Sequence, residues 1–222
     1  MEFVHIKIKR MKTEKPILMS TPMVQAILEG RKSQTRRIVK PPKGAYGFMV
    51  AKNYKGQITG LYGCDANERT QKNDGKEWLM RCPYGDINDI LWVRETWFDA
   101  GFYFIYRADS IDDGFKWRPS IFMPKEANRI KLEITGIRVE KLCDITEEDA
   151  MAEGSERGIY RTGPKYTQFH LELNHHASYK DGYKFIWETI NGKDSWGKNP
   201  WVWVLSFKKV NALETSESPL KE

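Results

Sequence analysis

Long apolar runs are missing from this chain of 222 residues: the densest, WVWVL at 201–205, falls far short of the roughly 20 residues that a membrane-spanning helix requires. No transmembrane segment is therefore expected. The N-terminal MEFVHIKIKRMK is basic but alternates polar with apolar residues, so it lacks the apolar core of a secretory signal, and a cytoplasmic address is expected. Cysteine is scarce too. Cys64, Cys82 and Cys143 are odd in number, widely spaced and never paired as CxxC, which suits free thiols in a reducing compartment rather than a disulfide framework or a zinc site. No internal repeat and no regular βαβ alternation are visible, which argues against solenoids and doubly wound parallel sheets. What is present, 40% apolar residues with 13% aromatics, suits a folded core rather than disorder.

The formal charge of +6 is concentrated rather than spread. Residues 31–81 hold twelve Lys or Arg against four Asp or Glu, and the rest of the chain carries a slight acidic excess. A local cationic surplus raises the density of anionic partners around it, and nucleic acid or nucleotide is the commonest such partner. The alternative reading is a solvated, lysine-rich loop.

The pattern predicts a short helix over STPMVQAILEG, with Ser20 or Thr21 as N-cap, Pro22 in the first turn, Met23, Val24 and Ile27 on one stripe, and Gly30 as terminator. Residues 41–80, rich in Gly, Lys and Asn, read as a long irregular insertion. Residues 89–98 and 102–107 read as two strands joined as a hairpin. Strict alternation over 128–142 predicts a half-buried strand with Ile130, Leu132 and Ile134 inward and a bulge at Gly136. DITEEDAMAEG predicts a second short helix capped by Thr146 and stopped by Gly154. A polar insertion at about 155–178, an amphipathic helix near Gly182–Ile190, a strand over 201–209 and a flexible tail at 211–222 complete the chain. The fold class expected is α+β: one domain over 1–210, a small and mostly antiparallel sheet tending toward a barrel, with short flanking helices and long insertions.

GRKSQTRR after a short helix, WVRETW, WRPSIFMP, the DITEEDAMAEG helix and NPWVWV ahead of a closing LSFKKV together resemble the ASCH domain of the PUA-like superfamily, in the form carried by tailed phages and prophages. The resemblance covers about half of the chain. It implies a small β-barrel with helices at its rim, a cleft that takes RNA or a nucleoside, no cofactor, and the cytoplasm of a bacterial host. One branch of that family consists of N4-acetylcytidine amidohydrolases that use a lysine, a threonine and a glutamate. Their G-R-K-x-x-T-x-R pattern falls on Gly30, Arg31, Lys32, Thr35 and Arg37, and their glutamate aligns with Glu153, with Glu147, Glu148 and Asp149 in the same helix as alternatives.

Amide hydrolysis requires a nucleophile, a base for it and a proton for the departing amine. In the reading favoured here Thr35 attacks the acyl carbonyl, Lys32 takes its proton, and Glu153 orients the lysine or relays the proton; direct activation of water by Glu153 is the other route. A lysine serves as base only when neutral, and Arg31, Arg36 and Arg37 nearby would disfavour its charge. In a straight strand residues three apart face opposite ways, so Lys32 and Thr35 converge only if the chain bends near Ser33 and Gln34. For the substrate, Arg31, Arg36 and Arg37 are the expected binding cations, Arg37 to hold a carbonyl or phosphate. Of the two faces of the 89–98 strand, the one bearing Glu95 and Trp97 is assigned to the cleft, Glu95 to read a ring edge and Trp97 to stack.

His170, His175 and His176 invite a metal, but their polar surroundings point to surface positions and no metal is expected. Trp201 and Trp203 are expected on one face of the last strand, opposite Val202 and Val204, as packing. The expected partner is a modified nucleoside or RNA. A non-catalytic RNA-binding or modified-base-reading module is the alternative, and a ribonuclease the third reading.

Overall fold

The computed structural model describes residues 11–43, 45–55, 58–64, 72–73, 76–77, 80–110, 114–157, 159–161, 170–172 and 178–210. In chain order the elements are β1 (Glu14–Leu18), α1 (Thr21–Leu28), β2 (Gln34–Ile38), β3 (Gly47–Lys52), β4 (Ile58–Cys64), β5 (Lys72–Asn73), β6 (Lys76–Glu77), β7 (Ile90–Arg94), β8 (Trp97–Asp99) and β9 (Phe104–Tyr106). Then follow β10 (Lys131–Lys141), α2 (Glu147–Ala152), β11 (Ile159–Arg161), β12 (His170–Glu172), α3 (Tyr179–Asn191) and β13 (Trp201–Lys209). The chain is α+β, rich in strands, and no described helix is long and apolar enough to cross a membrane.

Five strands form the central sheet in the order β1-β7-β10-β13-β2. Only the β1–β7 pair is parallel. The long strand β10 carries the sheet because its alternation buries Leu132 and Ile134 completely, and its register against β13 slips between Ile134 and Gly136, where the bulge was expected. Met23, Val24 and Ile27 of α1 pack on Ile17, Leu91, Val93, Leu132, Ile134, Leu205 and Phe207. Val202 and Val204 pack with Tyr183 and Trp187 of α3 and Ala150 of α2, while Trp201 and Trp203 gather with Val39 and Leu61. That split is the period-2 alternation of β13 expressed as two separate packing environments.

Three expectations need correction. No closed barrel forms among the described residues: β1 and β2 are the sheet's edges, and one side chain spans between them, Arg37 Nη2 donating to the Leu18 carbonyl at 2.7 Å. The 41–80 segment contains a hairpin, β3–β4, with Gly47 opposite Cys64 and with Phe48, Val50 and Leu61 packed toward Val39 and Trp203; its apolar residues find a surface that local sequence does not reveal. The 89–98 strand is two strands, since β7 belongs to the central sheet while β8 pairs with β9, Trp97 opposite Tyr106. His175, His176 and the 211–222 tail lie outside the described residues.

Candidate active site

An open cavity of about 1400 Å³ lies where a barrel would close, between the edge strands β1 and β2, under α3 and beside the end of β7. Lys32, Thr35, Arg36, Arg37, Glu153 and Tyr183 all line it.

The local sequence explains how the motif reaches this place. α1 ends with the Gly30 N–H donating to the Ile27 carbonyl and Gly30 at φ +77°, a left-handed stop that turns the chain back. Arg31 and Lys32 then donate their N–H groups to the Ala26 carbonyl, and Ser33 donates to Ala152 at the end of α2. From Gln34 the backbone changes partner and runs along β13, Thr35 opposite Leu205. On either side of this change of partner, Lys32 and Thr35 both line the cavity. At the other side α2 begins with Thr146 accepting from the Asp149 N–H and ends at Gly154, φ +81°. A Cβ on Gly154 would stand 2.8 Å from Ala26 Cβ and 3.0 Å from Lys32 Cβ, so only glycine lets α2 and the lysine meet.

Where they meet, Lys32 forms a β-bridge with Glu153, and its ammonium donates to the Glu153 carbonyl at 2.7 Å and to Glu153 Oε2 at 2.8 Å. Arg36 Nη1 donates to Oε1 of the same carboxylate at 3.0 Å. The three side chains are 1%, 2% and 0% exposed in the order lysine, glutamate, arginine. Burial pushes the Lys32 ammonium below the ordinary lysine value, against the pull of Glu153, and Arg37 and Arg36 press in the same direction as burial. Loss of that proton does not orphan the carboxylate, because Arg36 still holds it. Thr35 is buried in the cavity wall, and its hydroxyl has no hydrogen bond among the described residues.

The other candidates divide. Arg37 lines the cavity as expected. Arg36 lines it too, but its guanidinium is consumed by three carboxylates: Glu140 at 2.6 Å, Asp149 at 3.0 Å and Glu153; it is a positioning residue, not a hand for substrate. Arg31 is exposed outside the cavity, donating to Gly154 and pairing with Glu29 and Glu156. Glu95 and Trp97 are also elsewhere. Glu95 is 1% exposed and held by Arg129 through two bonds of 2.9 Å, and Trp97 packs on Met123, Ala127 and Phe104. The choice of face is what needs correction: Arg94 and Thr96, from the face not chosen, line the cavity, while Glu95 and Trp97 turn to Arg129 and to Met123, Ala127 and Phe104.

Sequence reasoning missed Tyr183 and Trp187, one turn apart on α3, both buried and both in the cavity wall. Burial, together with the negative charge of the nearby Glu153, lifts the Tyr183 pKa well above the tyrosine norm, so it is a phenol at neutral pH. The Trp187 Nε1–H is buried without a partner among the described residues. Their i, i+4 spacing was the available signal. Among the described residues no cluster of His, Cys, Asp or Glu is arranged to hold a metal. Comparison of the chain with models of protein families, with curated proteins and with solved structures finds no match in any of the three.

Proposed function

We propose that this chain is an ASCH-type, PUA-like domain and that it hydrolyses the acyl amide on the exocyclic amine of a modified pyrimidine, of which N4-acetylcytidine is the model. The observation that carries this reading is the buried contact of Lys32 with Glu153 at 2.8 Å in the same cavity wall as the Thr35 hydroxyl, which has no hydrogen bond among the described residues. A cation sequestered merely to bind RNA would face solvent; this one is buried against a carboxylate that a second cation already satisfies, which favours its neutral, basic form.

The chemistry follows from those groups. Neutral Lys32 accepts the Thr35 proton as Oγ1 attacks the acyl carbon. The tetrahedral intermediate expels the exocyclic amine, which leaves with a proton returned by the Lys32 ammonium, and the acyl group stays on Thr35 as an ester. Water, deprotonated by Lys32 in turn, cleaves the ester and releases the carboxylic acid. Arg36 holds Glu153, and Glu153 aims the lysine.

Acetate release from N4-acetylcytidine by wild type, Lys32→Ala and Thr35→Ala tests the proposal. Turnover in the wild type and its loss by about 10²–10⁴-fold in either variant is expected. Equal rates in all three would overturn it. A non-catalytic RNA reader is the second reading, favoured by the basic cavity wall, and would bind RNA in all three proteins without turnover.

A further inference from the structure

Glu153 is the one carboxylate among the described residues that line the cavity, and it is already held by Lys32 and Arg36. Three further cations in the same wall have no carboxylate partner among the described residues. Arg37 spends its guanidinium on the carbonyls of Leu18 and Arg36 and on Met19 Sδ. Arg94 donates through Nη2 to the Ile121 carbonyl and lies over the Trp92 ring, while its Nε–H is buried with no partner. The exposed Lys40 ammonium stands at the rim without a bond among the described residues.

Backbone register brings these groups to one place. Leu18 is opposite Arg94 in the β1–β7 ladder, and the Met19 N–H donates to the Arg94 carbonyl at 3.0 Å. The same Leu18 carries the Arg37 guanidinium on its carbonyl. Two arginines thus flank a single stretch of backbone, and α1 starts at once after it with no acidic residue in its first turn and no side chain bonded across its cap. A guanidinium offers five donors in a planar fork that matches a phosphate, and neither arginine exhausts its set on carbonyls. The cavity volume of about 1400 Å³ also exceeds the roughly 300–1,000 Å³ of ordinary small-ligand pockets, which leaves room beyond a nucleoside.

We infer that Arg37 and Arg94, with Lys40 at the rim, form a phosphate subsite, so that the modified pyrimidine enters as a phosphorylated nucleotide, free or within a strand, and not as a bare nucleoside. The identity of the base rests on the hydrolase reading; the phosphate rests on the cation set alone.

The test is binding, read separately from turnover. Wild-type protein is titrated calorimetrically at low salt with cytidine, cytidine 5′-monophosphate, inorganic pyrophosphate and an oligocytidylate. The monophosphate binds about tenfold tighter than cytidine or better, and pyrophosphate competes with it. Arg94→Gln and Lys40→Ala weaken the monophosphate and leave cytidine unchanged; Lys40 is exposed and has no hydrogen bond or ion pair among the described residues, so Lys40→Ala separates binding from folding damage. Arg37→Lys, which keeps the charge but not the fork, weakens the monophosphate less than Arg37→Gln does. Tighter binding of the oligonucleotide, with a steeper salt dependence, assigns the phosphate to a strand, and equal binding assigns it to a mononucleotide. Equal affinity for cytidine and its monophosphate, failure of pyrophosphate and the monophosphate to bind, or binding of either that survives all the substitutions, overturns the subsite. Phosphate binding without acetate release would fail the hydrolase alone, and acetate release without phosphate preference would fail the subsite alone.

Discussion

Two buried carboxylates, Glu153 and Glu95, are 2% and 1% exposed and both are held by arginine, yet they do different things. Glu95 receives both its bonds from one guanidinium, Arg129, which also pairs with Asp109 and lies 3.9 Å from the centre of the Tyr106 ring. Its partner there is a guanidinium that is always charged, and Glu95 does not line the cavity that Glu153 faces. Glu153 divides its oxygens between Arg36, which is always charged, and Lys32, which is not, and a cavity opens beside them. Burial therefore marks neither as functional. A titratable partner, together with access to a free hydroxyl, separates a working carboxylate from a structural tie.

The sharpest way to break this comparison is to remove one charge from each. Glu153→Gln is expected to lower turnover of N4-acetylcytidine by about 10²–10⁴-fold, and Glu95→Gln to leave turnover per folded molecule unchanged, measured with active protein counted by circular dichroism. Equal losses would erase the distinction. Next in size, Arg36→Met and Arg129→Met should each cost about 3–5 kcal/mol in urea unfolding, because each strands at least one buried carboxylate. The loss at Arg36 should be the larger, since three carboxylates face it.

Two glycines sharpen the same contrast between packed and open surroundings. Gly154→Ala combines a left-handed φ with a Cβ 2.8 Å from Ala26, and about 2–4 kcal/mol of destabilisation is expected. Gly30→Ala has the φ but open space, and about 1–2 kcal/mol should be lost in the same thermal or urea titration. Last, the pH dependence of kcat/KM should follow Lys32. Protonated lysine is inactive, so the rate climbs about tenfold per unit as pH rises and levels off below the ordinary lysine value of 10.5, because burial lowers that pKa. A limb that continued rising past 10.5 would remove Lys32 from the role of base.

Much of the fold was legible because its signals are local. The Thr146 cap, the placing of Ser20 at the N-cap position though without a side-chain bond, Pro22, the stops at Gly30 and Gly154, and the period-2 runs of β10 and β13 each depend on neighbours within a turn or a strand. The β3–β4 hairpin and the break at Glu95 were not, because each depends on what a distant strand offers to cover or to pair. Within the site, Lys32 and Thr35 stood out as a motif, whereas Glu95 and Trp97 were placed in the cleft by a choice between two faces that alternation alone does not decide, since which face meets the cavity depends on distant strands.

By itself, then, the sequence determined the caps, the turns, the apolar stripes and the concentration of cations, since these follow from residue type and short-range geometry. Only the tertiary structure decided that Lys32 meets a carboxylate 121 residues away, that Arg36 is consumed inside while Arg37 and Arg94 are left with donors to spare, and that the edge strands stay apart to leave a cavity. The reason is that charge states and access are properties of surroundings, and surroundings are assembled from segments that no local pattern links.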